Sequence, residues 1–324
     1  MTSNASTMVS IIVCCHNSEK RIDEALKSIF NQSVSTNVEV IVVDNNCSDS
    51  TVTRAKTIAS QFCRTIAVVT EQKPGLLYAR QSGVLAAKGT LCCFVDDDNL
   101  LDADYVARAI EIFNMHPGVG YFGGASRLPL NLKAPSWITP KLLLSYAVGR
   151  QYEHNGQLNS TTPLLWGAGL CVRTEAIKKI LYNINNFKCL GRIGGKQLAG
   201  DDSEICYRLA LEGWHGYYDD SLTLTHAIDP IRFTNERLQA MHTGFGAAKP
   251  VLDALEADLA KIQNYNSFRL RSLLYHPLLR VFVYATLTVL WSIRSFSLNA
   301  TPKMRANYYK AAFLSSIRIS RSDN

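Results

Sequence analysis

Two groups of carboxylates are placed where they could do chemistry. Asp96, Asp97 and Asp98 follow directly on Leu91–Val95, a run of apolar or small side chains. Like charges packed this closely raise one another's pKa unless a cation sits among them. A hard divalent cation, held by a few carboxylates and by oxygens of a bound phosphate, suits such a cluster. The same triplet also fits a plain solvated acidic turn. The second group, Asp201-Asp202-Ser203-Glu204, follows a Gly- and Lys-bearing loop and opens a helical run through Leu211. Acids in a first helical turn favour the helix dipole, so capping accounts for part of that group.

Positioning these residues requires an α/β scaffold. Val9 to Cys15 reads as a first strand and Glu19 to Phe30 as a helix, with Ile22, Leu26, Ile29 and Phe30 on one face. Val38 to Val43 is a second strand, Ser50 to Gln61 a second helix and Thr65 to Val69 a third strand. After Lys73-Pro-Gly75 a helical run reaches Ala87, and the strand into Asp96 follows. Repeated strand and helix argue for a mostly parallel sheet with helices on both faces. In such sheets ligands bind in the crevice beyond the carboxyl ends of the strands, which is where Asp96–Asp98 would lie. Beyond a helix to about Met115, the segment Arg127 to Thr162 is irregular and expected to form a substrate-facing excursion. Trp166 to Val172 reads as a further strand and Arg173 to Leu181 as a helix.

The 324 residues are 47% hydrophobic and 19% charged, a folded protein with a sizeable core. The net charge of +7 is unevenly spread: Arg269 to the end holds nine Lys/Arg against one acid, Asp323, leaving the rest near neutral. That surplus points to an acidic surface as partner of the tail. Val281 to Ile293 carries no charge and is bracketed by Arg280 and Arg294, short of the roughly 20 residues of a membrane span. It fits an interfacial helix held by Lys303, Arg305, Lys310, Arg318 and Arg321, interleaved with Tyr308, Tyr309, Phe313 and Ile317, on anionic lipid. An ordinary packing helix, or a span extended to Leu273–Leu298, are the alternatives. No nucleic-acid module accompanies the charge, so nucleic acid is not expected as a partner. The cysteines number nine, without a C-x-x-C pair, several of them inside apolar strands, which fits a reducing cytosol. Met1 to Met8 is polar and uncharged, with no secretory signal visible.

Taken in order, these residues resemble the family 2 glycosyltransferases of the GT-A fold, over about Val9 to His226. The resemblance rests on Val9-Ser-Ile-Ile-Val with Asn17; Val42-Val-Asp-Asn-Asn-Cys-Ser-Asp-Ser-Thr51; Gly75-Leu-Leu-Tyr-Ala-Arg80 with Gly83; Phe94-Val-Asp-Asp-Asp98; Gly167-Ala-Gly with Arg173; and Gly200-Asp-Asp-Ser-Glu204 with Arg208 and Gly213-Trp214. It implies a twisted, mostly parallel sheet in residues 1–230, with a nucleotide-sugar half of about 1–104 and an acceptor half of about 105–230. Residues 231–324 would form a helical extension with a basic, membrane-associated tail.

The resemblance further implies an enzyme of hexosyltransferase type. Asp44, Arg80, Asp96, Asp97 and Asn17 would bind the nucleotide sugar. Asp98 and Asp96 would serve the metal, Mg²⁺ or Mn²⁺, with Asp98 the direct ligand. Asp202 would be the base, next to Asp201 where the family usually has Glu. The donor would be a nucleotide-diphosphate sugar and the acceptor a saccharide or lipid-linked oligosaccharide, met at the cytoplasmic membrane face in surface polysaccharide synthesis. The chemistry needs the leaving diphosphate neutralised and the acceptor hydroxyl deprotonated, and displacement with one base inverts the anomeric centre. His226, after an apolar strand, fits a further metal or diphosphate contact, or a hydrogen-bonded histidine. Arg232 fits a diphosphate contact or a surface arginine. Trp166 and Trp214 fit a sugar platform or core packing, and Lys196 a substrate contact or a solvated side chain.

Other readings make definite demands. A sugar nucleotidyltransferase usually carries a Gly-rich triphosphate loop after the first strand, where this chain has Cys15-His-Asn-Ser-Glu19. A catalytically silent nucleotide-sugar-binding, membrane-associated protein would not need both acidic groups. A nicotinamide dehydrogenase would open its first helix with G-x-G-x-x-G, which is absent.

Overall fold

The structure is a computed structural model, which describes residues 8–34, 37–193, 199–262, 277–294 and 300–322. Lys196, Leu273 and Leu298 lie outside the described residues. Among the described residues, nine strands form one sheet: β1 (Val9–Cys15), β2 (Val38–Asp44), β3 (Ala67–Thr70), β4 (Leu91–Asp96), β5 (Asn99–Leu101), β6 (Val119–Arg127), β7 (Gly156–Gln157), β8 (Cys171–Arg173) and β9 (His215–His226). Their order is β3-β2-β1-β4-β8-β6-β9-β5, with β7 also on β9. The first four strands are parallel, and so are β6 and β9. β8 runs antiparallel to both β4 and β6, which makes the sheet mixed at its centre.

β1 shows why the sheet carries helices on both faces. Val9, Ile11, Val13 and Cys15 enter one core cluster and Ile12 the other, all almost fully buried. A strand covered on both sides reads as a continuous apolar run. The first cluster packs α1 (Ile22–Phe30), α2 (Thr51–Gln61) and α4 (Tyr105–Met115); the second packs α3 (Leu76–Ala86), α6 (Thr174–Tyr182) and α7 (Asp201–Leu211). Each fully buried Val or Ile contributes about 1.5–3 kcal/mol. The expected α/β layering, with a sheet flanked by helices, is the architecture found.

Three local expectations are corrected. Strand pairing in Trp166–Val172 is confined to β8, because Gly169 adopts φ +73° and turns the chain just before it. The helix expected from Glu19 begins at Ile22, because Arg21, at φ −122°, lies outside the helical region. The third strand lies at Ala67–Thr70 and is largely exposed, an edge strand on which apolar patterning is weak. Within the irregular excursion sits a short helical turn, α5 (Pro140–Leu143), started by Thr139, whose side chain accepts from the Leu142 amide.

Three helices close the described chain: α8 (Asn235–Ile262), α9 (Pro277–Arg294) and α10 (Ala300–Ser322). A third apolar cluster, with Tyr146, Ile228, Phe233, Leu238, Met241 and Met304, ties them to the sheet domain. α8 and α10 approach so closely that a Cβ on Gly246 would overlap the Tyr308 backbone carbonyl. Buried Asp253 on α8 accepts from Lys249 and from Tyr284 of α9, while Arg280 donates to the Pro250 carbonyl at 2.7 Å. α9 therefore has two faces. Tyr284 is fully buried, whereas Phe282, Val289 and Leu290 are exposed. No helix among the described residues is long and apolar enough to cross a membrane, which removes the reading of a full span within them.

Candidate active site

The acidic turn is held by the strand that follows it. β5 pairs antiparallel with the end of β9, setting Asn99 opposite His226. That register brings His226 Nε2 to 3.4 Å from Asp98 Oδ1. Asp98 Oδ1 also accepts from Asn99 Nδ2 at 3.2 Å, and Oδ2 meets Arg232 Nη1 at 3.2 Å. Burial alone would raise the Asp98 carboxyl, but His226 and then Arg232 outweigh it and hold the carboxyl well below the usual carboxylate range. His226 Nδ1 is buried without a hydrogen-bond partner, as is Arg232 Nε.

Its neighbours in the triplet face elsewhere. Asp97 pairs with Arg21 (2.6 Å), and burial together with Asp98 raises its carboxyl despite that partner. Asp96, the last residue of β4, lines a cavity of about 500 Å³. Arg80, Asp201, Asp202, His226 and Arg232 line the same cavity, so the two acidic groups meet there. Asp98 reaches it through its partners His226 and Arg232.

The adjacent aspartates of α7 are sorted by burial. Asp201 is 6% exposed and its Oδ2 accepts from the buried Arg80 Nη1 at 2.7 Å. Burial pushes the Asp201 carboxyl up to about 6, against the pull of the Arg80 guanidinium. Asp202 is half-buried; its Oδ2 accepts from the Gly167 amide at 2.9 Å and its Oδ1 from the Ser203 amide at 2.7 Å. Glu204 faces away from the cavity: it accepts from the Lys188 and Cys189 amides and pairs with Arg208, fixing the segment before the loop. Asp201, Asp202 and Glu204 all stand in the first turn of α7, where their charge favours the helix dipole.

The other expected residues form a second group at the carboxyl ends of β1 and β2. Asn17, at φ +52°, accepts from the Ser48 amide at 2.8 Å, and Asp44 from the Cys47 amide at 2.9 Å. Neither is among the residues lining the 500 Å³ cavity, and nor is Asp97. Trp166 lines it, whereas Trp214 packs in the core against Gly120, where a Cβ would overlap the indole.

Sequence reasoning missed three contributors. Asn45 is buried and organises the ends of β2 and β3, donating to the Glu71 and Lys73 carbonyls and accepting from Gly75. Arg192 lines the cavity and adds positive charge near Asp98 and Arg232. Gly167 is required small, because a Cβ there would overlap the Arg80 guanidinium and crowd Asp202 at 3.3 Å. The spacing Gly167-Ala-Gly169 was the one signal for it, and its partners are far off in sequence.

The residues present fit a divalent cation with two protein donors. Asp98 and His226 offer an oxygen and a nitrogen 3.4 Å apart, and His226 Nδ1, buried without a hydrogen-bond partner, is a further open nitrogen. Among the described residues no group of three or more His, Cys, Asp or Glu is gathered for a metal, so phosphate oxygens would complete the coordination.

The sequence pattern of Glycosyl transferase family 2 matches residues 10–181. The uncharacterized glycosyltransferase EpsJ of Bacillus subtilis is 37% identical over 103 residues, 32% of this chain and 28% of that protein. The succinoglycan biosynthesis protein ExoO of Rhizobium meliloti is 34% identical over 103 residues, covering 32% of this chain and 29% of that protein. The matched stretch thus spans less than a third of these curated relatives. Among solved structures, S. aureus TarS in complex with UDP-GlcNAc aligns with a TM-score of 0.51 and 16% identity over 97% of this chain and 92% of that one. The mannosyltransferase PcManGT from Pyrobaculum calidifontis, in complex with GDP-Man and Mn²⁺, aligns at 0.57 and 16% over 96% and 87%. At that identity the two structures speak for the fold, which is the mixed sheet described above. The family pattern covers more than half of the chain and includes the acidic turn, so this protein belongs to glycosyl transferase family 2.

Proposed function

We propose that this protein transfers a sugar, with inversion, from a nucleotide-diphosphate donor to a saccharide or lipid-linked acceptor in cell-surface polysaccharide synthesis. One observation carries the reading: half-buried Asp202 and the Asp96/His226/Arg232 group open on one cavity, with the Arg80–Asp201 pair between them. Asp202 takes the acceptor proton as the acceptor oxygen attacks the anomeric carbon from the side opposite the diphosphate. Such general base catalysis typically supplies about 10²–10⁴-fold. Arg232 and Arg192 offset the charge gathering on the leaving diphosphate. Asp98 and His226 would hold Mg²⁺ or Mn²⁺, which when bound supplies Lewis-acid neutralisation of that charge. Asn17, Asp44 and Asp97, at the strand ends beside the cavity, bind the nucleotide, and Arg80 positions Asp201. The donors named for TarS and PcManGT, UDP-GlcNAc and GDP-Man, and the pathway named for ExoO support the class of donor and product.

The chain divides near residue 230 into a sheet domain and a helical extension, and the extension lines the cavity as well. The exposed Leu279, Phe282, Val289 and Leu290 of α9 rest on an anionic membrane surface at the cytoplasmic face, where nine unpaired cysteines stay reduced. Transfer assays on Asp202→Asn and Asp98→Ala, with panels of UDP- and GDP-sugars, test the reading. Full activity in either variant overturns it.

A further inference from the structure

The cavity does not end at the sheet domain. It continues along α8, where Met241, Phe245, Ala248, Leu252 and Glu256 line it. These positions are three or four apart and share one helix face. At about 1.5 Å rise per residue the lined stretch is about 22 Å long, more than a single sugar ring can occupy. Tyr308 of α10 and Leu144 of the excursion also line the space. Half-buried apolar surface from Phe245, Leu252 and Tyr308 alternates with the charged Lys249 and Glu256. A long hydrocarbon would strip water from the Lys249–Asp253 ion pair and from Glu256. A sugar chain, with apolar ring faces and hydroxyl edges, meets both kinds of surface, as pockets with apolar walls and a few placed polar groups do.

We infer that the α8 face is an acceptor groove for an extended saccharide chain, so that the C-terminal helices select an oligosaccharide over a single sugar. This rests on the transferase reading above and places the growing end at Asp202, with the preceding sugars running along Phe245, Leu252 and Glu256.

The test uses the full chain on a glycan array ranging from single sugars to long chains, with UDP and GDP binding measured separately. The expected result is retention of chains over single sugars. Phe245→Ala and the isosteric Glu256→Gln should each weaken retention about tenfold, with nucleotide binding unchanged. Equal retention of single sugars, or chain retention unaffected by both variants, overturns the inference. So does farnesyl phosphate displacing the retained chains in competition, which would make the groove a lipid site. Loss of both UDP and GDP binding in the unaltered protein sinks the transferase reading instead, and the array then still reports on the groove.

Discussion

The Arg80 guanidinium and the Asp201 carboxylate, 121 residues apart in sequence, meet at 2.7 Å with side chains only 3% and 9% exposed. This pair bridges α3 and α7 beneath the cavity, and Gly167 closes over it. Asp201 is thereby occupied with Arg80, and its neighbour Asp202, the less buried of the two, accepts from the Gly167 amide.

Breaking one side of the pair leaves a buried charge without compensation. Arg80→Met should cost about 3–5 kcal/mol at neutral pH, read by urea unfolding, because the partner charge stays buried. The double variant Arg80→Met with Asp201→Leu should recover most of that loss. A double variant as unstable as the single one would mean that packing, not charge, dominates there.

Asp201 also shapes the pH profile. Its carboxyl sits at about 6 when folded, above the reference value of 3.8. The folded state therefore holds the proton more tightly. The stability this confers is complete below pH 3.8 and is lost as pH rises to 6, about 3 kcal/mol in all. Urea unfolding across that window should show wild-type stability falling relative to Asp201→Asn. Parallel profiles would contradict it.

Removing a metal ligand should abolish a ligand-linked gain in stability. With UDP or GDP present, Mn²⁺ should raise the melting temperature by mass action, by an amount set by its concentration relative to its dissociation constant. EDTA should reverse the shift. In Asp98→Ala and His226→Ala, which remove the paired oxygen and nitrogen donors, the shift should vanish.

Arg305 lies over the Trp291 ring, which sets basic side chains of α10 beside the exposed face of α9. Sedimentation with phosphatidylglycerol vesicles should exceed that with phosphatidylcholine. Replacing Lys303, Arg305 and Lys310 with Glu should weaken binding by about 1 kcal/mol or more per charge. Phe282→Ser should weaken it on either lipid. Equal sedimentation of wild type and both variants would refute docking through this face.

Much of the scaffold can be read locally. The two-sided apolar runs of β1 and β4 announce a doubly covered sheet, and the aspartates after Val95 mark a strand's carboxyl end, because both patterns depend only on neighbours in sequence. The edge strand β3 and the turn at Gly169 were harder, since exposure and a positive φ weaken periodicity.

The sequence by itself determined the alternation of strands and helices from Val9 to Val95, and that two acidic groups end up at element boundaries. Periodicity and strand termini are short-range properties, so they survive in the string of residues. Only the tertiary structure decided that His226 stands against Asp98 through the β5–β9 register, and that Arg232 reaches Asp98 across 134 residues. It also decided which of two adjacent carboxylates is buried against Arg80 and which is half-buried against the Gly167 amide. These outcomes depend on how distant elements exclude water from one another, and no local pattern encodes that.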